Sequence, residues 1–148
     1  MIKTGKKLPP DIMKRVELLP DHLQGDETVC ALYLHGSAAT GNMTPLSDLD
    51  FGLLLRRNMS KEDRLDTLLK LTTLFMDVLE TDEFDLVLMN EAPSRIPHKI
   101  IKTGKLLYVN DYNELIDFVE INTKFYLDFK PLRDEYNAIF LNRLNSIL

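Results

Sequence analysis

The sequence predicts an α/β (α+β) domain built on a small mixed sheet of about four strands, flanked by helices and followed by a helical C-terminal tail. Three observations carry that prediction. Short apolar runs alternate with segments of helical periodicity, the first two runs read as a hairpin-like pair, and no strand pattern survives beyond Asp111. A chain of 148 residues, 45% hydrophobic, suits a single domain, with a core over about residues 29–110 and C-terminal helices over about 111–146.

In "PPDIMKRVELLPDHLQ", Pro10 stands where a helix can begin, and Ile12, Val16 and Leu19 follow at helical spacing. One short amphipathic helix is therefore expected before the first strand. "VCALYLHG", Val29 to Gly36, is rich in β-formers and closed by glycine, as a buried strand reads. The small and turn-forming residues of "SAATGNMTP" predict a tight turn or a helix of one to two turns, and "LDFGLLL" predicts the second strand. Ser60 with Asp63 three residues later resembles a capping box. Leu65, Leu68, Leu69, Phe75, Val78 and Leu79 then keep helical spacing to about Glu80.

"FDLVLMN" and "KLLYVN" read as the third and fourth strands. Between them "SRIPHKIIKTG" predicts two to three helical turns closed by Gly104 in a left-handed cap. From Leu115 through Val119, Tyr126, Phe129, Leu132, Tyr136 and Phe140 the spacing is helical, and Pro131 is expected to kink or divide that tail.

Composition excludes several function classes. Lys and Arg number 18 against 23 Asp and Glu, a net charge of −5, so no general basic surface exists to grip a nucleic-acid backbone and no direct nucleic-acid binding is expected. Cys30 is the only cysteine, which removes an intrachain disulfide framework and a thiolate metal cluster and fits a reducing compartment. No secretory pattern opens the chain and no window reaches the ~18 uninterrupted apolar residues that span a bilayer, so a cytoplasmic protein without a membrane partner is expected.

Chemistry concentrates in "LYLHGSAATGNMTPLSDLDFGLLL", residues 32–55. Strand alternation sends Asp48 and Asp50 to one side of the sheet and Leu49 to the other. Two carboxylates side by side repel, so the pair either raises one pKa or recruits a hard divalent cation, for which Mg²⁺ is the economical choice. Mg²⁺ held by two or three carboxylates keeps room for substrate phosphates. Gly36 at the strand end lets a backbone approach a phosphate closely, and a helix beginning at Ser37 would offer N–H groups and a hydroxyl to the same anion. Asp85, at the start of the strand expected beside "SDLDF", is the best third acid, ahead of Asp82 and Glu83.

Gly36-Ser37, ten intervening residues, Asp48-Leu49-Asp50 and a later strand aspartate resemble the signature of the DNA polymerase beta-like nucleotidyltransferase superfamily. The small size, "DLVLMNEAPSRIPHKIIKTGKLLYVND" and "FYLDFKPLRDEY" are similar to its minimal nucleotidyltransferase (MNT) antitoxins, partners of HEPN ribonuclease toxins, over roughly residues 29–141. The resemblance implies a nucleotidyltransferase fold and transfer of AMP from ATP, with two Mg²⁺ ions, to a tyrosine of the HEPN partner, which silences it. It assigns Gly36, Ser37 and Ser47 to the nucleotide and Asp48, Asp50 and Asp85 to metal and catalysis, with Asp85 also taking the proton of the incoming hydroxyl.

The sequence departs from the minimal members at one point. They often carry an arginine soon after Gly-Ser, whereas "SAATGNMTPLS" holds no cationic side chain, so phosphate charge must be met by metal, backbone N–H groups or residues from elsewhere. Other positions have blander readings: His35 as a packed or partly exposed strand-end residue, His22 and His98 as surface residues, and Lys99, Lys102 and Lys105 as a solvated helix face rather than a basic edge towards phosphate or partner. Tyr112, Phe125, Tyr126, Phe129 and Tyr136 read as a mixture of core and docking patch. Two other functions stay open: inhibition of a toxin by contact alone, and nucleotidyl transfer to a small molecule.

Overall fold

The computed structural model describes residues 8–41 and 48–147. Four strands form one mixed sheet: β1 (Val29–His35), β2 (Leu49–Leu55), β3 (Phe84–Leu88) and β4 (Lys105–Val109), in the order β3-β2-β1-β4. β1 pairs antiparallel with both β2 and β4, and β2 pairs parallel with β3. The hairpin-like first pair is thus present, and the parallel pair is joined by a crossover helix, as parallel strands require. β1 and β2 are central and covered on both faces, which is why they read as near-continuous apolar runs.

The expected N-terminal helix is two. α1 (Ile12–Val16) stops and α2 (Leu19–Leu23) starts afresh with Pro20 in its first turn. Pro20 has no N–H to donate back to Val16, and its ring crowds that carbonyl, so one continuous helix is disfavoured. Ile12, Val16, Leu19 and Leu23 are all buried in the core nonetheless. A single turn, α3 (Ser37–Thr40), follows β1.

α4 (Lys61–Leu79) begins at Ser60, whose hydroxyl accepts the Asp63 N–H at 3.1 Å, and ends at Glu80 in the left-handed region, φ 53°. Its buried stripe is Leu71, Phe75 and Leu79, whereas Leu65 and Leu69 are exposed. Phe75 meets Phe51 edge-to-face at 5.3 Å and Phe84 at 6.0 Å, so one aromatic cluster joins α4, β2 and β3. Each such ring contributes roughly 1.5–3 kcal/mol by burial.

α5 (Arg95–Thr103) packs on the opposite face of the sheet through Ile100. Gly104 does not form the left-handed cap expected of it: its backbone is extended, φ −83° and ψ 173°, because β4 starts at the next residue. Glycine is required there for closeness instead. A Cβ would stand 2.4 Å from the Ile100 carbonyl oxygen and 2.9 Å from that of Leu34.

α6 (Tyr112–Ile147) is one helix with Pro131 inside it, so the proline does not divide the tail. At 36 residues it is about 54 Å long. Its first half is anchored by buried Leu115, by Asn122, whose side-chain NH₂ donates to the Ser94 carbonyl at 3.0 Å, and by Tyr126, which stacks on His98. Its second half is exposed: Leu132, Tyr136, Ile139, Phe140 and Leu141 are each about half accessible or more. Among the described residues no helix is long and apolar enough to cross a membrane.

Candidate functional site

Alternation along β2 divides its side chains. Leu49, Phe51, Leu53 and Leu55 enter the aromatic core, while Asp50 and Gly52 belong to the face that carries α5. β3 is in register with it: Leu49 pairs with Phe84 and Asp50 with Asp85. Two aspartates at partner positions of parallel strands stand side by side, about 4.8 Å apart along the sheet. Asp85 therefore lies where the sequence expected the third acid, next to the strand that bears Asp50. Asp48 sits just before β2 begins and is half-buried.

β1 brings the turn to the same point. His35 pairs with Asp50, and Gly36 follows with φ 73° and ψ −153°, a conformation that side-chain-bearing residues rarely adopt. A Cβ on Gly36 would stand 2.6 Å from Asp50 Oδ2, so glycine is needed for space as well as for φ. Ser37 opens α3, and Gly41, also left-handed at φ 78°, closes it. Ser47 lies outside the described residues.

Two clefts meet at Asp50 and Val87. One, of about 540 Å³, is walled by Gly36, His35 and Thr40 from β1 and α3, and by Ile96, Lys99 and Thr103 from α5. The other, of about 550 Å³, wraps the β3 edge from Asp85 to Leu68, Leu69 and Thr72 of α4. Both are of a size that takes a small ligand. Both are lined mainly by apolar surface; the first carries a cation, Lys99, and the second carries Asp85.

Lys99 is exposed, as a solvated helix face requires. It faces the first cleft because Ile96, Lys99, Ile100 and Thr103 share one stripe of α5, and that stripe turns toward the sheet. The signal was present in the spacing from buried Ile100. His98 is no simple surface residue: its ring stacks on Tyr126 at 4.0 Å, and the Arg133 guanidinium covers that tyrosine at 4.4 Å. Tyr126 is half-buried by this stack, while Tyr112, Phe125, Phe129 and Tyr136 are exposed. The aromatic residues of the tail are thus a surface patch more than core.

Burial lowers the pKa of His35, against the opposing pull of the Asp50 carboxylate. Its Nε2 is buried and has no hydrogen-bond partner. Asp50 and Asp85 offer hard oxygen donors on one face, the chemistry that Mg²⁺ prefers. Among the described residues no group of three or more His, Cys, Asp or Glu side chains is assembled to hold a metal unaided.

A mixed sheet with a glycine-serine turn at the end of one strand and register-paired aspartates on the next two has the architecture of a nucleotidyltransferase domain. Residues 17–113 match the polymerase beta nucleotidyltransferase family, and the chain belongs to it. No curated protein sequence matches the chain.

The fold is shared with chains from toxin–antitoxin structures. A crystal structure of a toxin–antitoxin with AMP-PNP matches at TM-score 0.60 and 21% identity, over 88% of this chain and 98% of that one. A tri-AMPylated HEPN toxin in complex with MNT antitoxin from Shewanella oneidensis matches at TM-score 0.54 and 20% identity, over 90% and 96%. The toxin–antitoxin MntA-HepT matches at TM-score 0.54 and 21% identity, over 90% and 97%.

Proposed function

We propose that this chain is the antitoxin of a toxin–antitoxin pair, a cytoplasmic adenylyltransferase that moves AMP from MgATP to a tyrosine of a HEPN ribonuclease and so neutralises it. The observation that carries this reading is the register of Asp50 with Asp85 beside Gly36, in a chain of the polymerase beta nucleotidyltransferase family. The tri-AMPylated HEPN toxin of a structure with the same fold supports the acceptor, and the AMP-PNP of another supports the donor.

In this reading Asp48, Asp50 and Asp85 would hold Mg²⁺, which would offset charge on the triphosphate. Gly36, Ser37 and Ser47 receive the triphosphate, with Gly36 leaving room for the Asp50 carboxylate beside the turn. The acceptor enters at the β3 edge, where Leu68 and Leu69 flank a phenol ring and Asp85 takes its proton. The phenolate oxygen bonds to the α-phosphorus, the bond to the β-phosphate breaks, and pyrophosphate leaves. The exposed apolar positions of α6 from Leu132 to Leu141 support docking of a protein partner.

The same exposed face would also serve an inhibitor that acts by contact alone. Purified protein, α-labelled ATP, Mg²⁺ and the HEPN partner separate the two. Label on a partner tyrosine with wild type but not with Asp48→Asn/Asp50→Asn is the expected result. A partner silenced without label, by both forms, would leave inhibition by binding.

A further inference from the structure

We infer that Lys99 of α5 binds the β- and γ-phosphates of the nucleotide, supplying from across the cleft the cationic contact that the loop after Gly36-Ser37 lacks. This rests on the reading of the site as a nucleotidyltransferase centre and adds a residue to it.

A nucleoside triphosphate carries several negative charges, and this site adds Asp50 and Asp85, both acids. Between Ser37 and Asp48 the sequence has no Lys or Arg. A protein cation on the far side of the phosphates would share that charge with metal and backbone N–H groups. Of the described residues lining the cleft beside Gly36 and Asp50, Lys99 is the one lysine or arginine.

Its placement is fixed by the packing of α5. Ile100, next in sequence, is buried against the sheet, where Gly52 has no side chain to keep it away: a Cβ there would meet Ile100 Cγ2 at 2.9 Å. Ser94, just before α5, accepts from Asn122 of α6, and His98 is held by Tyr126. The backbone under Lys99 is thus tied on several sides, while the side chain itself is exposed and free to extend along the cleft. Thr103, one turn on, lies on the same wall and donates to the Lys99 carbonyl at 2.7 Å.

His35 lines the same cleft from β1, so a polyphosphate chain running from Asp50 toward α5 passes between it and Lys99.

Equilibrium binding of ATP, AMP and pyrophosphate to the purified chain, by calorimetry with Mg²⁺, tests this without any acceptor. Lys99→Met is expected to weaken ATP and pyrophosphate roughly 10- to 100-fold, the loss of one charge-assisted hydrogen bond, and AMP by less than about threefold. Lys99→Arg should hold ATP within a few-fold. Lys102→Met, one position round the helix and outside the cleft lining, should bind as wild type, and Tm should not move in any of the three.

The inference is overturned if Lys99→Met binds ATP like wild type, if AMP weakens as much as ATP, or if Lys102→Met weakens ATP equally. It also falls if wild type binds neither ATP nor pyrophosphate. Triphosphate binding that depends on Lys99, with no label reaching a HEPN tyrosine, would overturn the acceptor reading alone.

Discussion

The two faces of β2 use one alternating run of seven residues in opposite ways. Leu49, Phe51, Leu53 and Leu55 are at most 1% exposed and lock into Phe75 and Phe84, whereas Asp50 and Gly52 look across to His35, Asp85 and Ile100. The packed face has no chemistry and the chemical face is underpacked, with two clefts opening at Asp50. Rigidity for the carboxylates therefore comes from their neighbours in sequence. Each acid is flanked by fully buried residues, Asp50 by Leu49 and Phe51 and Asp85 by Phe84, so its Cα is held by a core it does not join.

The largest effects should divide along that line. Asp50→Asn is expected to lower AMP transfer by at least 10²- to 10³-fold, a scale set by the loss of a preorganised charge at the reacting centre. Tm should hold or rise, because a carboxylate beside Asp85 is removed. Phe51→Ala, the next residue, should do the reverse of this in kind. It is expected to cost about 3–5 kcal/mol from a core of three touching rings, seen as a lower urea midpoint, with activity per folded molecule little changed. A fall in stability for Asp50→Asn as large as that for Phe51→Ala would make the acid structural and end the division between the faces.

Gly36→Ala comes next, at the point where the chemical face is tightest. Alanine would have to adopt φ 73° with its Cβ 2.6 Å from Asp50 Oδ2, so either the turn or the carboxylate moves. About 1–3 kcal/mol of stability is expected to be lost through strain. Transfer should fall at least tenfold with a raised KM for ATP. An unchanged KM would mean that the turn does not touch the nucleotide.

The packed face was legible in the sequence because burial leaves a period: "VCALYLHG" and "LDFGLLL" gave β1 and β2 within one residue, and Ser60 marked the start of α4. The acids were legible because a carboxylate inside an apolar run has few structural uses. The rest depended on contacts between distant segments. The strand of Asp85 was expected beside that of Asp50, but the full strand order and the register that pairs the two acids are set by how α4 crosses over and are not encoded in either strand. Lys99 resembled any lysine on a helix until the side of α5 that packs was known. His98 resembled a surface histidine because its partner, Tyr126, is 28 residues away on another helix. Gly104 read as a cap because glycine after a helix usually is one, but here the close Leu34 carbonyl decides the residue. The same limit applied to α6, whose aromatic spacing is that of a buried helix although most of those rings are exposed.

A smaller effect reports whether the chemical face needs its gap. Gly52→Ala would press a Cβ on Ile100 Cγ2 at 2.9 Å and on Met89 Sδ at 3.1 Å; the methionine can shift, whereas the branched isoleucine yields by a small displacement of α5. The cost should be about 1 kcal/mol, the low end for overpacking. Because Ile100 adjoins Lys99, displacement of α5 should also raise the KM for ATP by a few-fold while leaving kcat nearly unchanged. Equal losses in kcat and KM would place the disturbance at Asp50 instead.

The smallest expected effect lies at the far end of β1, where the face that holds the acids turns dry. Cys30 is 2% exposed, its Sγ donates to the Asp111 carbonyl at 3.3 Å, and burial pushes its pKa from 9.0 up to about 12, with Glu114 and Asp111 adding to the shift. The raised value means that the folded chain keeps the thiol proton after the unfolded chain has lost it. Below pH 9 both states are protonated and the thiol's contribution to stability is complete. As pH rises from 9 toward 12 only the unfolded state ionises, so folding weakens. Tyr33, whose pKa burial also raises, adds to the same decline. Urea midpoints at pH 7, 9 and 10.5 should therefore fall with a slope that Cys30→Ala reduces but does not abolish, whatever that substitution costs at pH 7. An identical slope in the variant would show that Cys30 ionises as readily in the folded chain as in the unfolded one, and the dry half of this face would be wetter than its packing implies.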